Sequence, residues 1–182
     1  MIRWYGLVAL LLQTMLGFSQ TWKTESGKVT FLSEAKFNSF SGTSDQLQGL
    51  IDLEKNLVDF YVDLNTLKTG IGLRDRHMRD NYLETKKFPY AEFTGSFAEI
   101  PNLPTGQPVR VEVSGKFKVH GVVQSRTFSG ILKKENSGEL LLEATFEVKL
   151  EDHKIEVPKV LAYELATQES ITLVATLKSV QP

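Results

Sequence analysis

Between Leu67 and Pro89 the sequence LKTGIGLRDRHMRDNYLETKKFP crowds Arg74, Asp75, Arg76, Arg79 and Asp80 into seven positions, with His77 among them. Three chemistries suit such a set. Asp75 and Arg79 stand four apart, the spacing at which opposite charges pair along a helix. Arg74, Arg76 and Arg79 together are suited to a phosphate, whose oxygens guanidinium groups bond in charge-assisted pairs. His77 with Asp80 or Glu84 would be the start of a metal site, but no second histidine lies within reach by sequence, a poor match to zinc. From Ile71 to Leu83 the spacing is helical, with Ile71, Asp75, Met78 and Tyr82 on one face. Gly70 and Gly72 loosen the start of this stretch, and Pro89 ends it. A carboxylate on an apolar stripe must be paired or suffer a large desolvation cost, so Asp75 is expected to fasten the segment through its arginines. The reading is a short helical plug at about 70–83, with Met78, Tyr82 and Leu83 facing what it covers.

The elements around it have period two. Val58, Phe60, Val62 and Leu64 alternate with polar neighbours, as do Ala91, Phe93, Gly95 and Phe97. Val109 to Val119 keeps one apolar face for eleven residues, and Leu140 to Leu150 does the same. Val29 to Ser33, Gln46 to Leu53, Val122 to Leu132 and Ile171 to Leu177 bring the strands to about eight. Turns are expected at Lys55-Asn56, His120-Gly121 and Asn136-Ser137-Gly138. Long sequential strands with one dry face predict an all-β fold, an eight-stranded antiparallel up-and-down barrel of the lipocalin-like kind. A connection of 23 residues is too long for a hairpin turn, which leaves the plug to lie across one barrel end. Inward-facing Phe60, Val62, Phe93, Phe97, Phe117, Leu142 and Phe146 would line the lumen, with Ile71, Met78 and Tyr82 capping it. Small inward residues (Ala91, Gly95, Gly115, Ala144, Ala175) are compatible with a ligand cavity and equally with small-against-large packing.

The chain has 182 residues, room for one domain, and a formal net charge of −1, which gives no electrostatic footprint for nucleic acid. Residues 1–19 read as a secretory signal: Arg3, an apolar stretch from Leu7 to Leu16, then Gly17-Phe18-Ser19 before a cut. Ile2 to Phe18, interrupted by Arg3 and Gln13, is too short and too broken for a membrane span. Losing Arg3 lowers the 21 Lys and Arg to 20, against 22 Asp and Glu, a net charge of −2. Residues 20–182 then form a single domain without a stable membrane span. The absence of cysteine excludes disulfides, cysteine-type zinc sites and acylation on an N-terminal cysteine.

Catalytic signatures are not found: no G-x-S-x-G elbow, no phosphate-binding glycine loop, no H-E-x-x-H. No cofactor is implied. His120 is expected at a turn and His153 on the exposed side of a loop after a long strand. Asp75 is the one named candidate for a lumen acid, should the barrel hold an enzyme such as an isomerase or cyclase.

VDLNTLKTGIGLRDRHMRDNYLETKKFPYAEFTGSF resembles the signature of the YceI-like, polyisoprenoid-binding proteins. Asp63, Thr69-Gly70, Arg74-Asp75, His77-Met78, Leu83, Phe88-Pro89 and Phe93 carry the match, and Gly115, His120, Gly121 and Val122 carry a second block. The resemblance runs over roughly 22–178. Where family members have an Asp-Phe-Gly-type motif, this chain has Asp152-His153-Lys154-Ile155. The resemblance implies a lipocalin-like barrel, export to the periplasm of a bacterium, and an apolar tunnel for a long isoprenoid or similar lipid. It leaves Arg74, Asp75, Arg76 and Arg79 either at a ligand head group or as plug fasteners. The leading expectation is thus a non-catalytic lipid carrier, with an enzyme or a ligand-free barrel as alternatives. Oligomeric state, a homodimer included, is not legible in the sequence.

Overall fold

The computed structural model describes residues 20–157 and 166–180; the expected signal, 1–19, and the span 158–165 lie outside the described residues. Eight strands follow in chain order: β1 (Thr21–Glu34), β2 (Ser39–Asp52), β3 (Leu57–Asp63), β4 (Tyr90–Phe97), β5 (Pro108–Val119), β6 (Val122–Lys134), β7 (Leu140–Lys149) and β8 (Gln168–Ser179). Each pairs antiparallel with the next, and β8 pairs back onto β1, so the sheet closes as a barrel. The period-two pattern is the cause: one face of every strand is apolar and closure lets all eight bury it together. Phe60 lies opposite Phe93, and Phe93 opposite Phe117, so aromatic side chains run across the wall from strand to strand.

β1 is longer than the alternation from Val29 suggests. Its register slips on both sides of Gly27, a bulge that lets one strand serve both neighbours. A side chain at Gly27 would meet Ala175 Cβ at 2.9 Å and Leu47 at 3.1 Å, so glycine lets three strands crowd together at the seam. At the opposite end of β5, His120 and Gly121 have φ of 51° and 73°, the left-handed pair that a two-residue hairpin turn requires.

The two barrel ends differ. At one end Trp22, Leu53, Leu140 and Leu177 are at most 5 % exposed and form a solid floor. Trp22 Nε1 donates to Gly138 O at 2.9 Å, tying the floor to the β6–β7 turn. The other end is crossed by the β3–β4 connection. Its first part is a 3-10 turn, Leu64–Thr66, and then mutual backbone bonds of 2.9 Å between Lys68 and Thr43 add it to β2. Helix α1 (Gly72–His77) follows and widens into a π-helical turn, Met78–Tyr82. The expected helical plug is present, in two pieces rather than one.

Its fastening differs from the expected Asp75–Arg79 ion pair. Asp75 Oδ1 accepts from the backbone N of Thr69 at 2.8 Å and from its hydroxyl at 2.6 Å. Arg74 holds Thr69 in turn: Nε donates to its hydroxyl at 3.0 Å and a terminal nitrogen to its carbonyl at 3.4 Å. The physical reason is distance along the chain: the Gly70 turn brings Thr69 back over the helix start, where its two donors outcompete a long arginine. Burial raises the Asp75 pKa, but the Thr69 bonds and the charges of Arg79 and Arg74 outweigh it, and the net direction is below the ordinary value.

This makes the plug's attachment a local and testable unit. Asp75→Asn should lower stability by about 1.5–3 kcal/mol, the range for a hydrogen bond to a charged group. Hydrogen exchange should quicken between residues 69 and 83 while the β5–β6 amides keep their protection; unchanged exchange across the plug would contradict the assignment.

Candidate ligand-binding cavity

Above the floor the inward side chains leave a cavity of about 540 Å³ that runs up to the plug. Its wall is apolar almost throughout. All of Phe60, Val62, Phe93, Phe97, Phe117, Leu142 and Phe146 line it, and Ile71, Met78 and Tyr82 close it from the plug. Leu83 lines it as well. Of the small inward residues, Ala91 and Ala144 face the cavity, whereas Gly95 and Gly115 sit opposite each other in β4 and β5. Phe128, which period-two reading placed in a strand without a role, joins the aromatic wall: its ring centroid is 5.4 Å from Phe117 and 4.3 Å from Phe146.

The four charged plug residues separate. Arg74 lines the cavity, yet its guanidinium is committed to Thr69 and stacks 4.3 Å above the Phe40 ring. Asp75 is buried against Thr69 and is not part of the cavity wall. Arg76 is exposed; Arg79 is half-buried and acts on Asp75 through its charge. The metal candidates are drawn apart as well, since Glu84 bonds His120 at 2.9 Å and Asp80 lies 3.8 Å from Lys86. Among the described residues no group of three or more His, Asp or Glu is placed to hold a metal ion.

Both loop histidines do more than their sequence positions suggest. His120 occupies its turn, but its ring also spans from Glu84 at the plug's far end to His153 O, 3.1 Å away. Phe88 packs edge-on to that ring, at 4.7 Å between centroids. His153, expected exposed, is fully buried. The chain after β7 turns back in a 3-10 turn, Glu151–His153, and drives the imidazole against Phe117 at 5.4 Å. Burial is the main influence on that ring and holds its pKa below the ordinary value; neighbouring backbone at Val122 and Val119 pulls weakly the other way. Neither ring nitrogen meets a partner at hydrogen-bonding geometry.

One polar group in the wall was not anticipated. Glu169 faces the cavity from β8, beside Ser33 of β1 and Val148 of β7. Ser33 Oγ donates to its Oε1 at 3.0 Å, while Oε2 is buried with no hydrogen-bond partner among the described residues. Burial pushes the carboxyl up to about 7, and the Ser33 bond offsets only part of that. The signal existed in the sequence: Glu169 stands two residues before Ile171, on the same inward parity, as Ser33 follows Phe31. Among the described residues the buried acid in the cavity wall is Glu169, not Asp75.

A family model described as a YceI-like domain matches residues 20–178. Among solved structures, a polyisoprenoid binding domain from Saccharophagus degradans, implicated in plant cell wall breakdown, superposes with a TM-score of 0.76 at 19% identity, covering 89% of this chain and 99% of that one. Burkholderia cenocepacia BcnA gives 0.68 at 14% identity over 84% and 96% of the two chains. The Campylobacter jejuni YCEI protein gives 0.57 at 17%, over 78% and 85%. At these identities the likeness is one of fold. Among curated proteins no sequence match was found.

A carboxyl whose folded pKa is raised favours the fold at low pH and loses that contribution as pH climbs from its ordinary value, 4.5, through about 7. Glu169→Gln has no such titration. Wild type should therefore fall behind the variant in Tm by a few degrees between pH 5 and pH 8 in thermal melts; a constant difference across that range would show that Glu169 is solvated.

Proposed function

The chain belongs to the YceI-like domain family, and on that premise we propose that it is an exported, non-catalytic binding protein that holds a long apolar lipid of the polyisoprenoid kind inside its barrel. The observation that carries the reading is the cavity, about 540 Å³ with an apolar wall, floored by large side chains at one barrel end and crossed by the plug at the other. That size is typical of small-molecule pockets. Its lining runs from Ile51 and Leu132, toward the floor end of β2 and β6, to Met78 and Tyr82 on the plug, a path that suits a chain. The polyisoprenoid-binding relative from Saccharophagus degradans, alike in fold, supports the ligand class.

Holding such a ligand needs little besides burial. Each methylene removed from water contributes about 0.8 kcal/mol, so ten contribute roughly 8 kcal/mol. That offsets much of the roughly 4–15 kcal/mol cost of immobilising a ligand. The plug is the natural gate, because Ile71, Met78, Tyr82 and Leu83 touch the cavity while side-chain contacts at Thr69, Phe40 and His120 fasten its two ends. We assign Arg74 and Asp75 to that fastening rather than to a head group, since their polar atoms are engaged with Thr69. The leader-like residues 1–19 support export, and with it a periplasmic site of action in a bacterium. Among the described residues no helix is long and apolar enough to cross a membrane. The non-catalytic reading rests on the cavity's chemistry: among the described residues its one strongly shifted acid has Ser33 as its hydrogen-bond partner, an arrangement for binding rather than for passing protons between two groups.

Filling the lumen tests the reading. Ala144→Phe puts a ring into the cavity from β7, opposite the floor-to-plug path a lipid would take. Geranylgeraniol titrated into wild type should bind, and into the variant at least tenfold more weakly, with Tm retained. Equal affinity in a folded variant would place the lipid outside the lumen and overturn the proposal.

A further inference from the structure

An apolar wall explains affinity but gives no account of Glu169. A carboxyl set among apolar groups without a full set of partners is costly to bury, and an aliphatic residue at that register position would remove the cost. Its placement is rigid. The residue pairs with Ser33 on one side and Val148 on the other, and Ile171 and Leu173, further along the same face of β8, also line the cavity. Oε1 is occupied by Ser33 at 3.0 Å, whereas Oε2 is buried and has no partner among the described residues. The carboxyl sits at the plug end of the lumen, where the polar end of a lipid lying tail-first on the floor would come to rest.

We propose that Glu169 is a specificity-determining residue of the cavity, whose Oε2 donates a hydrogen bond to an uncharged oxygen of the bound lipid, a carbonyl or hydroxyl. This rests on the lipid-carrier reading and deepens it. A protonated carboxyl has one donor to give, and burial, which pushes this group up to about 7, keeps it protonated through mildly acidic pH. The same carboxyl, once ionised, repels an anionic head, so the site discriminates against phosphorylated lipids. The groups packed around it leave the donor role to Glu169. Ser33 from β1 donates to it, Val148 from β7 is apolar, and Phe40, paired with Ser33 from β2, is apolar as well. The other titratable side chains lining the cavity, Arg74, His77 and Tyr82 on the plug and Tyr61 and Glu92 on β3 and β4, belong to other elements and stay unchanged in a Glu169 variant.

A ketone isolates the donor, because a carbonyl can only accept. Geranylgeranylacetone and a matched hydrocarbon, with methylene in place of the carbonyl, would be titrated at pH 6 and pH 8.5 into wild type, Glu169→Gln and Glu169→Leu. At pH 6 wild type should prefer the ketone by roughly 5- to 10-fold, the worth of one net hydrogen bond. The preference should fade at pH 8.5 as the carboxyl ionises. Glu169→Gln, isosteric and still a donor, should keep it at both pH values, and Glu169→Leu should lose it at both. Equal ketone preference in wild type and Glu169→Leu, with both probes binding, would overturn this inference while the carrier reading stands. Failure of every probe to bind wild type would instead overturn the carrier reading and this inference with it.

Discussion

Everything in this molecule hangs on the seam where β8 pairs with β1. An open eight-stranded sheet with one apolar face would expose that face and two unpaired edges. Closure turns the same face into an interior. At the seam β1 must curve enough to pair with β2 and β8 at once. The bulge around Gly27 supplies that curvature, and the close approach of Ala175 and Leu47 leaves space there for glycine alone. Once closed, the interior has no polar escape, and each residue that points inward either packs, lines the cavity or needs a partner.

The barrel divides that interior by end. Large side chains meet at the floor, where Leu140 and Leu177 are fully buried and Trp22 is anchored by its indole nitrogen. Toward the plug, rings stand against one another around the wall, with Phe128 edge-on to both Phe93 and Phe117. The plug itself is held at both ends by polar contacts and in the middle by apolar ones. Thr69, Arg74 and Asp75 secure its start; Glu84, Phe88 and His120 secure its finish. Bonds from Lys87 and His120 hold the Glu84 carboxyl below its ordinary pKa. The helical part of the plug, Gly72–Tyr82, lies outside the strand ladder, the arrangement that a gate over the cavity requires.

Strand number, order and inward faces were legible because period-two alternation is a direct consequence of closure, and it runs on regularly through β5 and β7. Asp75 was legible as a buried carboxylate because it broke an apolar stripe. Its partner was not, since the Gly70 turn that returns Thr69 to the helix start has no periodic signal. His153 was misjudged for a similar reason: a loop residue four positions beyond a strand carries no parity, and the 3-10 turn at Glu151–His153 turns it inward. Glu169 did carry parity. Reading β8 as starting at the first apolar residue, Ile171, cut off the position that matters most to the cavity's chemistry, whereas the strand begins at Gln168. Ends of strands near a site are where polar residues replace apolar ones, so alternation fades there for functional reasons as well as structural ones.

The central claim is that the lumen holds a long apolar lipid. The most direct measurement is to express the whole chain in a bacterial host, purify it without detergent, denature it, extract with organic solvent and identify the extract by mass spectrometry. The account predicts one long-chain lipid per protein molecule, of the polyisoprenoid kind and with an uncharged oxygen at its end. An extract free of lipid, from protein that also takes up none when incubated with prenols and prenyl ketones, would contradict it.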